Sequence, residues 1–170
     1  VAGMVGDALG ASAINVPAPR VYETLASHAA DGVMMPMESK RGFRLTEVAP
    51  HSFDMPSGFY RTSMATVMNQ DSFDRLSQQD QAALDKLFGE ELSRISGAFW
   101  DDFDAAGLAA LNNAGDNTLI MASEADQAVW HKKAEKIINQ VISDISDTGI
   151  DGRAAYDYFR GEFETLKAGQ

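Results

Sequence analysis

The chain has 170 residues, room for one domain or two small lobes. With 14 Lys+Arg against 25 Asp+Glu, its formal net charge is −11, which argues against nucleic acid and against an anionic membrane surface, since both demand clustered cations. At 45% hydrophobic and 9% aromatic it can fill a core, and the absence of cysteine excludes disulfides, thiolate nucleophiles and Cys-ligated zinc.

From the N-terminus, Val5, Ala8 and Leu9 stand at helical spacing before a stop at Gly10-Ala11. Ser12 to Val16 reads as a short strand. Pro17 and Pro19 suit a turn and a first helical position, where the missing N–H costs nothing. Val21, Tyr22, Leu25 and Ala29 make one helical face. After the turn Ala30-Asp31-Gly32, Val33 to Met35 reads as a short buried strand ended by Pro36, and a helix is predicted through Phe43, Leu45 and Val48. This strand–helix–strand–helix order implies parallel strands with crossover helices, whose ligands sit beyond the strands' carboxyl ends.

His51 to Asn69 is extended, with Pro56-Ser57-Gly58 as the best bend and Met64 to Met68 strand-like. Ser77 to Asp80 resembles a capping box with Asp in place of Glu. Leu84, Phe88, Leu92, Ile95, Phe99 and Phe103 then repeat at helical spacing; read to Ala110 they give a helix of roughly 34 residues, or ~50 Å. Gly89, Gly97 and Gly107 mark places where it kinks or breaks. Beyond the turn at Asn113 to Asn117, Thr118 to Met121 is a strand. Ser123 opens a helix with Trp130, Ala134, Ile137, Val141 and Ile145 on its apolar face, Gly149 ends it, and Asp151 to Lys167 closes the chain. No apolar run approaches the ~20 residues of a membrane span. Val1-Ala2-Gly3-Met4 is neither an initiator nor a signal peptide, so the chain is expected to begin after processing or to be a piece of something longer.

Chemistry-bearing clusters are sparse. His51, Ser52 and Asp54 hold the atom types of a triad, but neighbours in an extended segment point to opposite faces. His131 and Glu135 are four apart on a helix with no third ligand. Asp101, Asp102 and Asp104 lack the ligand spacing of a calcium loop. Gly3, Gly6 and Gly10 do not have dinucleotide-fingerprint spacing. Lys40, Arg41 and Arg44 form a small basic group that suits either a solvated face or an anion. Met34, Met35 and Met37 are unusual: methionine is flexible and polarizable, suited to core packing or to an adaptable apolar pocket. No catalytic residue, metal site or cofactor is expected.

Several ordered motifs carry a resemblance. Leu9-Gly10-Ala11-Ser12, Pro17-Ala18-Pro19-Arg20-Val21-Tyr22-Glu23-Thr24-Leu25 and Ala30-Asp31-Gly32-Val33 come first. They are followed by Pro36-Met37-Glu38, Phe43-Arg44-Leu45 with Glu47-Val48, and Val67-Met68-Asn69. Phe73-Asp74-Arg75-Leu76, Gln81-Ala82-Ala83-Leu84 and Gly149-Ile150-Asp151-Gly152 complete the set. In that order they resemble the solute-binding proteins of tripartite ATP-independent periplasmic (TRAP) transporters.

The resemblance implies an α/β, periplasmic-binding-protein-like fold: a mixed-sheet lobe, a long bracing helix and C-terminal helices. It divides the chain into residues 1–57 (part of a second α/β lobe), 58–76 (a crossing strand and hinge), 77–113 (the bracing helix) and 114–170 (a strand and the final helices). The family's N-terminal lobe is expected to be absent, and its carboxylate-pairing arginine to lie before Val1, so the chain is expected to be a C-terminal half. The implied function is capture of an organic acid in the periplasm and delivery to the membrane permease subunits. A missing lobe or a second chain would complete the cleft. The ligand-lining candidates are Pro17, Ala18, Phe59 and Ser63 by the family register, and Met34, Met35 and Met37 from the methionine cluster. The family's aromatic pocket position falls at Ala18, an Asn that contacts ligand falls near Met35, and the usual Glu before Tyr22 is Arg20. These departures predict a bulkier or more apolar acid. Two other classes stand beside this reading: an α-helical dimerising interaction protein, and a lyase-type enzyme using His51 and Asp54.

Overall fold

Helices make up about 60% of the computed structural model, which describes residues 2–168. Their order is α1 (Ala2–Leu9), a 3-10 turn (Ala18–Arg20), α2 (Val21–Ala26), α3 (Ser39–Gly42), β1 (His51–Asp54), α4 (Gln70–Asp74), α5 (Gln78–Leu87), α6 (Glu90–Asn113), β2 (Thr118–Met121), α7 (Glu124–Ser146) and α8 (Gly152–Ala168). β1 and β2 form a small parallel two-stranded sheet, opened by the Thr118 amide donating to the Pro50 carbonyl at 2.9 Å. The mixed helix-and-sheet class therefore holds.

Local chemistry accounts for the helix boundaries. Asn69 Oδ1 accepts from the Ser72 amide and opens α4; Ser77 Oγ accepts from the Asp80 amide at 3.1 Å and opens α5. The reciprocal capping box occurs at α7, where the Ser123 amide donates to Asp126 and the Asp126 amide to Ser123 Oγ, at 3.0 and 3.2 Å. The Ser123 hydroxyl, which donates to Asp126 Oδ2 at 2.6 Å, and then the Ser123 amide hold the Asp126 carboxyl below the usual carboxylate range.

Several expectations are corrected. Ser12–Val16, Val33–Met35 and Met64–Met68 are not strands. Each has strand composition, but a strand also needs a hydrogen-bonded neighbour, and the sheet pairs β1 with β2. The helix expected through Phe43, Leu45 and Val48 stops at Gly42, because Arg44 adopts φ +55°; the following residues form one turn closed by Ala49 N–H to the Leu45 carbonyl at 2.9 Å. The helix over Val21 to Ala29 ends at Ala26. The single long helix is two: Gly89, at φ +78°, separates α5 from α6.

The chain divides into two compact units. The first comprises residues 1–15, Met55–Tyr60 and the chain from Met121 onward. In it α1 and α8 each pack on α7. The α7–α8 approach is close enough that a Cβ on Gly152 would lie 2.3 Å from the Ile142 carbonyl oxygen. Lys133 Nζ caps α1 by donating to the Ala8 carbonyl at 2.6 Å.

The second unit comprises Val16–Asp54 and Arg61–Ile120. Its core is Val21, Leu25 and Leu45, with Val16, Ala30, Met35, Phe43, Val48 and Ala49 packed around them. α3 rests on α6. The surface left over is large. The chain exposes 12507 Å², whereas two separate globules of these sizes would together expose only about 10,000 Å². Much of the exposed surface is apolar: Val67 is 85% exposed, Phe99 57%, Phe159 73% and Leu166 67%.

Candidate functional site

The Val21–Leu25–Leu45 core positions two of the loops that carry candidate residues. Pro17 and Ala18 lie on the 3-10 turn closed by Arg20 N–H to the Pro17 carbonyl at 2.9 Å, one residue after the packed Val16. Met34, Met35 and Met37 lie on the segment between α2 and α3, where Met35 packs on the same core. One apolar cluster thus supports both segments. Pro17 and Ala18 are exposed, and the three methionines are half-buried.

The end of the methionine segment is pinned by α6. Asp104 Oδ1 accepts the Glu38 amide at 2.8 Å, and a Cβ added to Gly107 would lie 2.1 Å from the Met37 carbonyl oxygen. Gly107 is therefore required by the close approach of backbone to helix. Burial, and then the Asp104 charge, push the Glu38 carboxyl above its ordinary range.

Ser63 is exposed within residues 61–69, which have no regular structure. Phe59 belongs to the first unit. Its ring packs edge-on to Trp130 with centroids 5.2 Å apart, and Trp130 Nε1 donates to the Gly58 carbonyl at 3.2 Å. His131 Nε2 meets Ser57 Oγ at 3.2 Å. The candidate residues are therefore distributed: five on two loops of one core, Ser63 on an exposed stretch and Phe59 on the α7 side.

Two members of the basic group, Lys40 and Arg44, serve the scaffold. Lys40, 8% exposed, donates from Nζ to the Ala49 carbonyl, and burial lowers its pKa. Arg44 forks onto Glu47 from Nε and Nη2 at 2.8 and 2.9 Å, while Tyr22 Oη donates to Glu47 Oε2 at 2.8 Å. These hydrogen bonds, Arg44 first, hold the Glu47 carboxyl below its usual range and tie the turn after α3 to α2.

The other sequence clusters do not converge on a reaction centre. His51 Nδ1 meets Thr118 Oγ1 at 2.9 Å, and His51 and Asp54 lie on opposite faces of β1. Among the described residues no group of three or more His, Asp or Glu is placed to hold a metal ion. Trp130, Asp104 and Gly107 were missed as site-supporting residues. A tryptophan on an apolar helix face and a glycine inside a helix are the sequence signals that point to them.

The chain belongs to the bacterial extracellular solute-binding protein family 7, whose model matches residues 1–144. A TRAP periplasmic solute-binding protein from Bordetella bronchiseptica, solved with bound (R)-mandelate and (S)-mandelate, is 37% identical, with a TM-score of 0.88 over 98% of this chain and 52% of that one. A marine-metagenome TRAP solute-binding protein from an unidentified microbe, specific for aromatic acid ligands and solved with metahydroxyphenylacetate, is 23% identical, with a TM-score of 0.77 over 88% of this chain and 48% of that one. At that identity it shows the fold alone. The curated outer membrane transporter protein TsaT of Comamonas testosteroni is 24% identical over 157 residues, 92% of this chain and 46% of that protein. The chain spans about half the length of the relatives it matches. Its fold is the periplasmic-binding-protein-like α/β fold, and no helix among the described residues is long and apolar enough to cross a membrane.

Proposed function

We propose that this chain supplies one wall of a periplasmic cleft that captures an organic acid, an aromatic monocarboxylate in preference to a small dicarboxylate, and hands it to TRAP permease subunits without chemical change. The observation that carries the reading is the match along nearly the whole chain to a 37% identical protein holding mandelate. Pro17, Ala18, Met34, Met35, Met37, Phe59 and Ser63 are the candidate ligand-facing groups.

The physics favours a bulky apolar acid. The small Ala18 leaves room, and thioethers adapt to an aromatic ring at little conformational cost. A carboxylate still needs a cation. Lys40 and Arg44 are engaged in the scaffold, so a cation other than these two supplies it. The exposed apolar side chains support a covering lobe or second chain, and the total surface, roughly 2,500 Å² beyond what two folded globules of these sizes expose, is of partner-sized area. Binding energy then shifts a hinged equilibrium toward the closed form that a permease reads.

Thermal shifts of the intact protein with mandelate, hydroxyphenylacetate and succinate test this. The aromatic acids should raise the melting temperature by several degrees and succinate by less. A larger shift with succinate would overturn the reading.

A further inference from the structure

Met55–Tyr60 belongs to the first unit, while the residues on either side of it belong to the second. Its attachments converge on one turn of α7. Met55 is 5% exposed, and the Gly58 amide donates back to the Met55 carbonyl at 2.6 Å. Gly58, at φ +75°, turns the chain so that its own carbonyl accepts from Trp130 Nε1 at 3.2 Å. The Phe59 ring then meets the indole edge-on, at an interplanar angle of 72°. Beside it, Ser57 meets His131.

Trp130 is 3% exposed, so its indole is held by surrounding packing and its one donor is satisfied. A fixed indole fixes the plane of the ring packed against it. The hydrogen bond adds a second constraint, setting the backbone that carries Phe59.

We propose that Trp130 is the positioning residue that sets ligand discrimination: by locking the Met55–Tyr60 turn and the Phe59 ring plane, it makes the site favour an acid bearing an aromatic ring over one that does not. The inference rests on the reading of Phe59 as a ligand-facing residue. With the Trp130 contact and its hydrogen bond altered, Phe59 retains its apolar area but not the orientation Trp130 sets, so affinity for an aromatic acid falls while affinity for a small acid is untouched.

The test is titration calorimetry of the intact protein with mandelate and with lactate, which carries a methyl where mandelate has a phenyl. Trp130→Phe keeps an aromatic filler and removes the donor to Gly58. It should weaken mandelate by about 5- to 10-fold and leave lactate within about two-fold. Ser57→Ala should act in the same direction by about two-fold. Trp130→Phe added to Phe59→Leu should cost nothing beyond Phe59→Leu alone, since the two act as one unit. Equal losses for both acids, or unchanged mandelate affinity, would overturn the proposal. If Trp130→Phe loses its cooperative melt, Ser57→Ala and Phe59→Leu decide, and unchanged mandelate-to-lactate ratios in both overturn it. Failure of the wild type to bind either acid would instead overturn the functional reading beneath it.

Discussion

Two loops with candidate residues are held in opposite ways. The methionine segment is pinned at Met37 and Glu38 by α6 at the level of backbone, with a glycine where any side chain would collide and a carboxylate on an amide. The Met55–Tyr60 turn is pinned by side chains, an indole donor and an edge-on ring. Where the Met37 carbonyl meets the Gly107 backbone no adjustment is tolerated, since neither partner can change rotamer. Side-chain clamps can be altered one group at a time. Under the proposed function, the first arrangement suits a wall that stays put, and the second a place where selectivity is tuned.

The sharpest way to break this contrast is Gly107→Ala. Its new Cβ meets the Met37 carbonyl, so either α6 or the methionine segment must move. A loss of ~4 kcal/mol is expected in urea unfolding, above the usual overpacking cost because the obstacle is backbone. Trp130→Ala should follow at ~3 kcal/mol, from a large side chain removed and a carbonyl left without its donor. A Gly107→Ala effect smaller than that of Trp130→Ala would mean the methionine segment yields more readily than its geometry indicates.

Asp104→Asn is the mildest and sharpens the comparison through pH. The Glu38 carboxyl is pushed up by burial and by Asp104, so the folded chain holds that proton more tightly than the unfolded chain. This contribution is full below the ordinary glutamate value and is lost as pH climbs through the raised folded value. Asn keeps an acceptor for the Glu38 amide but removes the repulsion, so the decline with rising pH should become shallower. Unfolding midpoints measured across that window, wild type against variant, check the difference. Glu47 and Asp126, both held low, lose stability as pH falls and do so in both proteins. An unchanged slope would show that burial alone acts on Glu38.

Local chemistry was legible in the residues: Ser77 and Ser123 as caps, the helix-spaced Trp130 to Ile145 face, the Thr118–Met121 strand, and an ordered set of motifs that pointed to the family. These depend on contacts within a few positions, or on a pattern retained along the chain. Pairing was not legible. Ser12–Val16, Val33–Met35 and Met64–Met68 have strand composition without strand partners, because a ladder depends on a neighbour that composition does not name. The break at Gly89 was one of three glycines where it could fall, and the structure puts the positive φ there. Only the tertiary structure decided that Gly107 and Asp104 hold the methionine segment, that Lys40 and Arg44 are spent on Ala49 and Glu47, and that Trp130 holds Phe59. Each of those contacts joins residues separated in the chain, or fixes a side chain's direction, and close approach in space is what a one-dimensional pattern leaves undetermined.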